Sequence, residues 1–165
     1  MPEIVTNITA SQARHTILGY RAQTAAKTVP QNATQTVFTV SAGRIMITAL
    51  YGLVTTIIGG TTPAAKYIAT PTTGSANDMC TTLAITSDEV GMMWTLPSAV
   101  GSALVGAAST GKSGSVSAAG TGGLCGQIVA PGTIGFNVSA ADATGAVIHT
   151  LYYIPIDDAA RVAAN

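Results

Sequence analysis

The chain has 165 residues, no net charge at neutral pH, and 8% charged residues beside 47% hydrophobic ones. An ordinary soluble domain carries about 25% charged residues, so this surface must be built from Thr, Ser, Asn, Gly and Ala, which cost little to desolvate against another chain. The length suits one domain that buries roughly 70% of its extended surface, and the missing charge disfavours both a polyanion-binding protein and a freely diffusing enzyme in favour of an assembly subunit.

Residues 1 to 33 hold Arg14, Arg21 and Lys27 against Glu3 alone, with scattered hydrophobic residues. We read this segment as an N-terminal arm ahead of a β-sandwich domain spanning 34 to 165. A short helix over Ser11 to Lys27, with Ser11 as its cap, is compatible with the Ala, Gln and Arg content, although Gly19 and the weak apolar stripe count against it. The start of the chain lacks the apolar core of a signal peptide, and no run approaches the 18 or so apolar residues of a membrane span. A cytoplasmic origin is therefore expected. It would keep Cys80 and Cys125 reduced, as small buried hydrophobes, and would leave the glycosylation triplets at Asn7, Asn32 and Asn137 unmodified.

After a break at Pro30 to Ala33, strands are expected at Thr34–Val40, Arg44–Ile58, Ala65–Ala69, Met79–Thr86, Gly91–Leu96, Gln127–Ala130, Gly132–Ser139 and Ala146–Ile156, with a further apolar run at Ala99–Ala107. Gly and Pro punctuate the gaps, and no amphipathic helix intervenes. The predicted fold is all-β: an antiparallel β-sandwich, or a jelly-roll-like barrel, of about eight strands. Arg44–Ile58 is apolar or β-branched at nearly every position and should be central, covered on both sides. Strict alternation puts Ile45, Ile47, Ala49, Tyr51, Leu53 and Ile57 on one face and Met46, Leu50, Val54 and Ile58 on the other, with Thr48 and Thr56 between them and Gly52 as a bulge or bend.

Few residues suggest chemistry. Gly106 to Ser113 matches the phosphate-binding pattern GxxxxGK[ST] at every required position, but the Gly and Ser repeats that follow oppose the helix such a loop needs, so a small-residue loop is the better reading. The acidic pairs Asp88-Glu89 and Asp157-Asp158 sit beside turn-like strand ends, where solvated carboxylates are ordinary. His15 and His149 stand far apart with no acidic or thiol cluster, so no metal site is expected. Trp94 and Tyr152-Tyr153 read as core, with interface anchors as the alternative. The dispersed basic residues lack interleaved aromatics, which disfavours nucleic-acid binding.

Four stretches carry a family resemblance: TQTVFTVSAGRIMITALYGLVTT (Thr34 to Thr56), NDMCTTLAITSDEVGMMW (Asn77 to Trp94), the APGTI turn (Ala130 to Ile134), and GAVIHTLYYIPIDDAARVAA (Gly145 to Ala164). From Thr28 to Val162 the chain resembles small β-rich structural proteins of tailed bacteriophages, the head decoration or auxiliary capsid proteins. The resemblance implies a non-enzymatic virion protein that binds the assembled shell of major capsid protein and stabilises it, commonly as a trimer. No cofactor, metal, membrane or nucleic acid is expected. The first 27 residues lie outside the resemblance; their positive charge makes Arg14, Arg21 and Lys27 the candidates for capsid attachment, on an arm that orders when it binds. A tail, fibre or shell-forming subunit is the alternative, and a nucleotide-binding protein using Gly106 to Ser113 a distant one.

Overall fold

The computed structural model describes residues 9–106 and 126–165. Its elements, in chain order, are α1 (Ala10–Leu18), β1 (Tyr20–Gln23), β2 (Lys27–Thr28), β3 (Ala33–Ser41), β4 (Ile45–Gly59), β5 (Ala64–Pro71), β6 (Asn77–Asp78), β7 (Leu83–Ala84), β8 (Met93–Thr95), β9 (Val105–Gly106), β10 (Gln127–Val129), β11 (Gly132–Val138), β12 (Thr144–Pro155) and β13 (Arg161–Ala164). They form two antiparallel sheets packed face to face, the expected all-β sandwich. One sheet has seven strands in the order β1-β12-β4-β8-β9, with β10 also on β4 and β2 also on β12. The other has six, ordered β13-β3-β11-β5-β6, with β7 also on β5.

Several of the turns by which the chain passes from one sheet to the other carry Gly or Pro. Between β3 and β4, Ala42 and Gly43 both take positive φ, and Asp157 accepts from the Arg44 backbone N–H at 2.7 Å and from its guanidinium at 2.8 and 3.0 Å. Between β4 and β5, Asp142 accepts from the Thr61 backbone and hydroxyl. The carboxylates of these turns thus have structural duties. Asp157 is pulled down to about 2 by Arg44, and Asp142 is lowered by its bonds from Thr61.

As expected, the long strand is central: β4 pairs with β12 along nearly all its length. Its two faces are not the strict alternation of the sequence, because the β4–β12 ladder slips at three places. Ile47 pairs with Tyr153 but Ala49 with Tyr152, which leaves Thr48 as an extra residue, and each extra residue moves the following side chains to the opposite face. The core therefore takes Ile45 and Ile47 before the slip, and Leu50, Val54 and Ile58 after it. Tyr51 and Leu53, assigned by alternation to the face of Ile47, lie instead on the outer face and are half-buried, while Ile57 is 55% exposed.

Gly52 is not the bulge. It stays in register with His149 on one side and Trp94 on the other, and a Cβ there would press on Trp94 and the Tyr67 hydroxyl. The space it leaves is filled by aromatic rings. Trp94 stacks on Phe136 across the sandwich at 5.8 Å, and Tyr67 and His149 are hydrogen-bonded through the hydroxyl and Nδ1 at 2.9 Å. Trp94 Nε1 donates to Asp88 at 2.6 Å, which gives the acidic pair Asp88-Glu89 one structural member.

Short elements differ most from the expectation. Met79–Thr86 is not one strand: Leu83–Ala84 is the one strand within it, Thr81 makes an isolated parallel bridge to Ala103, and Met79 and Cys80 are buried in a bend. Within the segment read as an arm, Tyr20–Gln23 and Lys27–Thr28 pair with β12, so hydrogen bonding draws residues before position 34 into the sandwich. β13, on the edge of the six-stranded sheet, pairs with β3. The phosphate-loop match lies outside the described residues from position 107 onward, as does Cys125.

Candidate functional site

The helix begins two residues earlier than a Ser11 cap would allow and ends at Leu18, well short of Lys27. Thr9 accepts from the Gln12 backbone N–H while the Gln12 side chain accepts from the Thr9 N–H, a reciprocal cap that satisfies two otherwise orphaned donors. At the other end Gly19 has φ +83°, and a side chain there would run into the Tyr153 carbonyl. Glycine thus lets the chain turn sharply from helix into β1 while lying directly on β12. The extra residue in β4 completes the seat: buried Thr48 donates its hydroxyl to the Leu18 carbonyl, one of the carbonyls that a helix end leaves free. None of the α1 side chains is buried, so the helix is held at its C-terminal end and by its neighbour strands rather than by a core face of its own.

This seating creates a cavity of about 320 Å³ between α1 and the outer face of the seven-stranded sheet, lined among others by Gln12, Arg14, His15, Tyr20, Arg21 and Tyr152. Register explains the convergence. Arg21 pairs directly with Tyr152, so the two side chains rise from the same face, and Arg14 and His15 come over them from the helix. His15 packs edge-on against Tyr20 with centroids 4.5 Å apart. Arg21 donates to the Gln23 side-chain oxygen, and Gln23 in turn donates to buried Thr150 at 2.9 Å, which anchors the guanidinium through a two-step chain.

Two of the three basic residues singled out in the sequence are thus brought together. Lys27 is not with them: it sits on β2 opposite Val147, half-buried, and its charge helps to keep His149 neutral. Among the described residues, no carboxylate lines the cavity. Among the described residues the ion pairs are Arg44–Asp157 and Lys66–Asp78, which leaves Arg14 and Arg21 without an acidic partner. Tyr152 is more than nine-tenths buried, and its hydroxyl has no hydrogen-bond partner among the described residues. From sequence alone Tyr152 reads as core, or else an interface anchor, and His15 as an isolated histidine; the T-x-x-Q capping signature at Thr9 is the hint that a helix brings position 15 back over the sheet.

The next row of the same outer face is apolar. Ile154, Met46 and Ile128 lie side by side across β12, β4 and β10, with Ile154 36% and Ile128 65% exposed. A single outward face therefore carries a cationic pocket and, beside it, aliphatic side chains in contact with water.

His149 is the most perturbed histidine. Burial lowers it to about 3, with Lys27 adding to the effect, so it is a neutral member of the core. Tyr67, fully enclosed, is pushed well up by desolvation. Asp88 is raised by burial, opposed by its bond from Trp94. Their rings and carboxyl are sealed between the sheets and give no surface for a reacting molecule. Among the described residues no group of three His, Cys, Asp or Glu is placed to hold a metal ion, and no helix is long and apolar enough to cross a membrane.

No protein-family model matches the chain, and no curated protein or solved structure is detectably similar to it.

Proposed function

We propose that this protein is a structural virion component that binds the assembled phage capsid and stabilises it, acting as a small oligomer, with a homotrimer as the expected unit. The family resemblance supplies the phage setting and the number three. The observation that carries the reading is the contrast in the outward surface: one face of the sandwich joins two arginines, without an acidic partner among the described residues, to an exposed aliphatic row, as a contact face requires, on a chain too poorly charged to repel its neighbours. In this reading the helix–sheet pocket and its apolar border face the major capsid protein, and Arg14 and Arg21 are the attachment residues. Lys27, which does not line the pocket, is left out of the attachment set. A closed ring of copies would bury exposed surface without growing into filaments.

Such a unit binds the shell lattice and not the dissociated subunits, and so raises shell stability by mass action. The test is electron cryomicroscopy of the virion, with the chain located in the map, combined with thermal melts of capsids with and without the protein. Many copies on the outer shell and a raised melting temperature are expected. Density confined to the tail would favour a tail or fibre component, and an unchanged melt with no bound copies would defeat the proposal.

A further inference from the structure

We infer that the cavity between α1 and the sheet is a receptor for a single acidic side chain of a partner protein, a carboxylate held by Arg14 and Arg21 with Tyr152 donating from below. The inference rests on the capsid-binding reading for the partner's identity, but the pocket's chemistry stands on its own geometry. Two guanidinium groups reach one cavity from different elements, and no carboxylate of the described chain lines it. A planar guanidinium matches a carboxylate through two parallel hydrogen bonds, and two such groups restrict the orientation of the ligand more than a point charge would. Tyr152 adds a donor whose ring is already fixed by burial and whose hydroxyl is unpartnered among the described residues. Arg21 is held by Gln23 and Thr150 before any ligand arrives, so little of its freedom remains to be lost.

The size and the surrounding charge select the class. About 320 Å³ exceeds the volume of a lone inorganic ion and suits a side chain with part of its backbone. Nucleic acid is disfavoured, because the chain carries seven basic and seven acidic residues and has no extended positive field to follow a phosphate backbone. The neighbouring aliphatic row Ile154, Met46 and Ile128 gives an acidic segment a second, apolar foothold, which a free anion would not use.

The experiment titrates the isotope-labelled protein with a blocked triglutamate peptide, with inorganic phosphate and with a short single-stranded oligonucleotide at matched ionic strength, following the His15 and Tyr152 ring resonances. The peptide should give saturable shifts, and Arg14→Gln and Arg21→Gln, folded by circular dichroism, should each weaken it by about tenfold or more, whereas Lys27→Gln should leave it unchanged. Absence of saturable peptide shifts, tighter binding of phosphate or oligonucleotide, or equal loss in Lys27→Gln would overturn the inference. Peptide binding by a protein that is absent from purified virions would keep the pocket and remove the capsid reading. Capsid binding that survives the double replacement Arg14→Gln/Arg21→Gln would do the reverse.

Discussion

The outward faces of the two sheets are built from different alphabets. Across the six-stranded sheet, one row runs Ala163, Thr39, Thr133, Thr70 and the next but one Thr34, Asn137, Lys66. Three of these side chains find partners within the sheet: Asn137 donates to Thr34 at 2.9 Å and Lys66 pairs with Asp78 at 2.7 Å. The outer face of the seven-stranded sheet carries Ile154–Met46–Ile128, then Arg21–Tyr152–Ala49, then a polar row through Thr150 and Tyr51, then Ile148–Leu53–Met93. One face is polar and partly cross-linked by its own side chains, and the other is partly covered by a helix and partly left bare. In the proposed capsid-binding role of this chain with 8% charged residues, the threonine face would stay in water and the other face would make the contact.

The sharpest way to break this comparison is to set an inner position against an outer one on the same strand. Leu50→Ala empties a fully buried site and should cost about 2 to 5 kcal/mol, whereas Leu53→Ala, on the outer face, should cost less than half as much; urea unfolding of both variants decides. Equal losses would mean that the slip at Thr48 is misplaced.

A second test uses acid. His149 has a folded value of about 3 against 6.5 when free, so in that interval the unfolded chain binds a proton that the native chain refuses. Its neutral state is therefore no liability above pH 6.5, and stability falls as the pH drops below it, by up to about 1.4 kcal/mol per pH unit. Denaturant melts between neutral pH and the onset of acid unfolding should show this slope, and His149→Gln should flatten it. Exposed Asp157, held down by Arg44, loses its ion pair only as the pH approaches about 2.

A smaller effect separates the helix from the body. Thr48→Val removes the hydroxyl that holds the Leu18 carbonyl and should cost about 1 kcal/mol globally, while amide exchange in α1 should accelerate more than anywhere else. The smallest effects lie on the exposed rows. Thr133→Ala and Ile128→Ser should each shift stability by no more than about 0.5 kcal/mol, yet only Ile128→Ser should weaken capsid occupancy. Equal occupancy of the two variants would erase the functional distinction between the faces.

The long strands were legible because their β-branched runs end in strong turn signals: Thr34–Val40, Arg44–Ile58, Gly132–Ser139 and Ala146–Ile156 each fall within two residues of β3, β4, β11 and β12. The slips in β4 were not, since a bulge is decided by which partner residue is available and not by the strand's own alternation. Edge strands β1, β2 and β13 were missed for a related reason: YRAQ, KT and RVAA have no apolar period and are extended only because β12 or β3 offers hydrogen bonds. Charge counting found Arg14 and Arg21 but grouped Lys27 with them, because a net charge is a property of a segment and a pocket is a property of register. Tyr152 could join the site only once Arg21 was known to lie opposite it.

The residue inserted at Thr48 makes the pocket a certificate of correct folding. Its walls come from α1, β1 and β12, and the latch that holds them closes only when β4 has skipped one residue against β12. A chain that pairs these strands one position out of step would present Thr48 to the wrong side, leave the helix unlatched and scatter the two arginines. If the pocket docks a partner as proposed, it would admit only molecules whose central ladder is in register, and quality control would be exercised at the docking step itself.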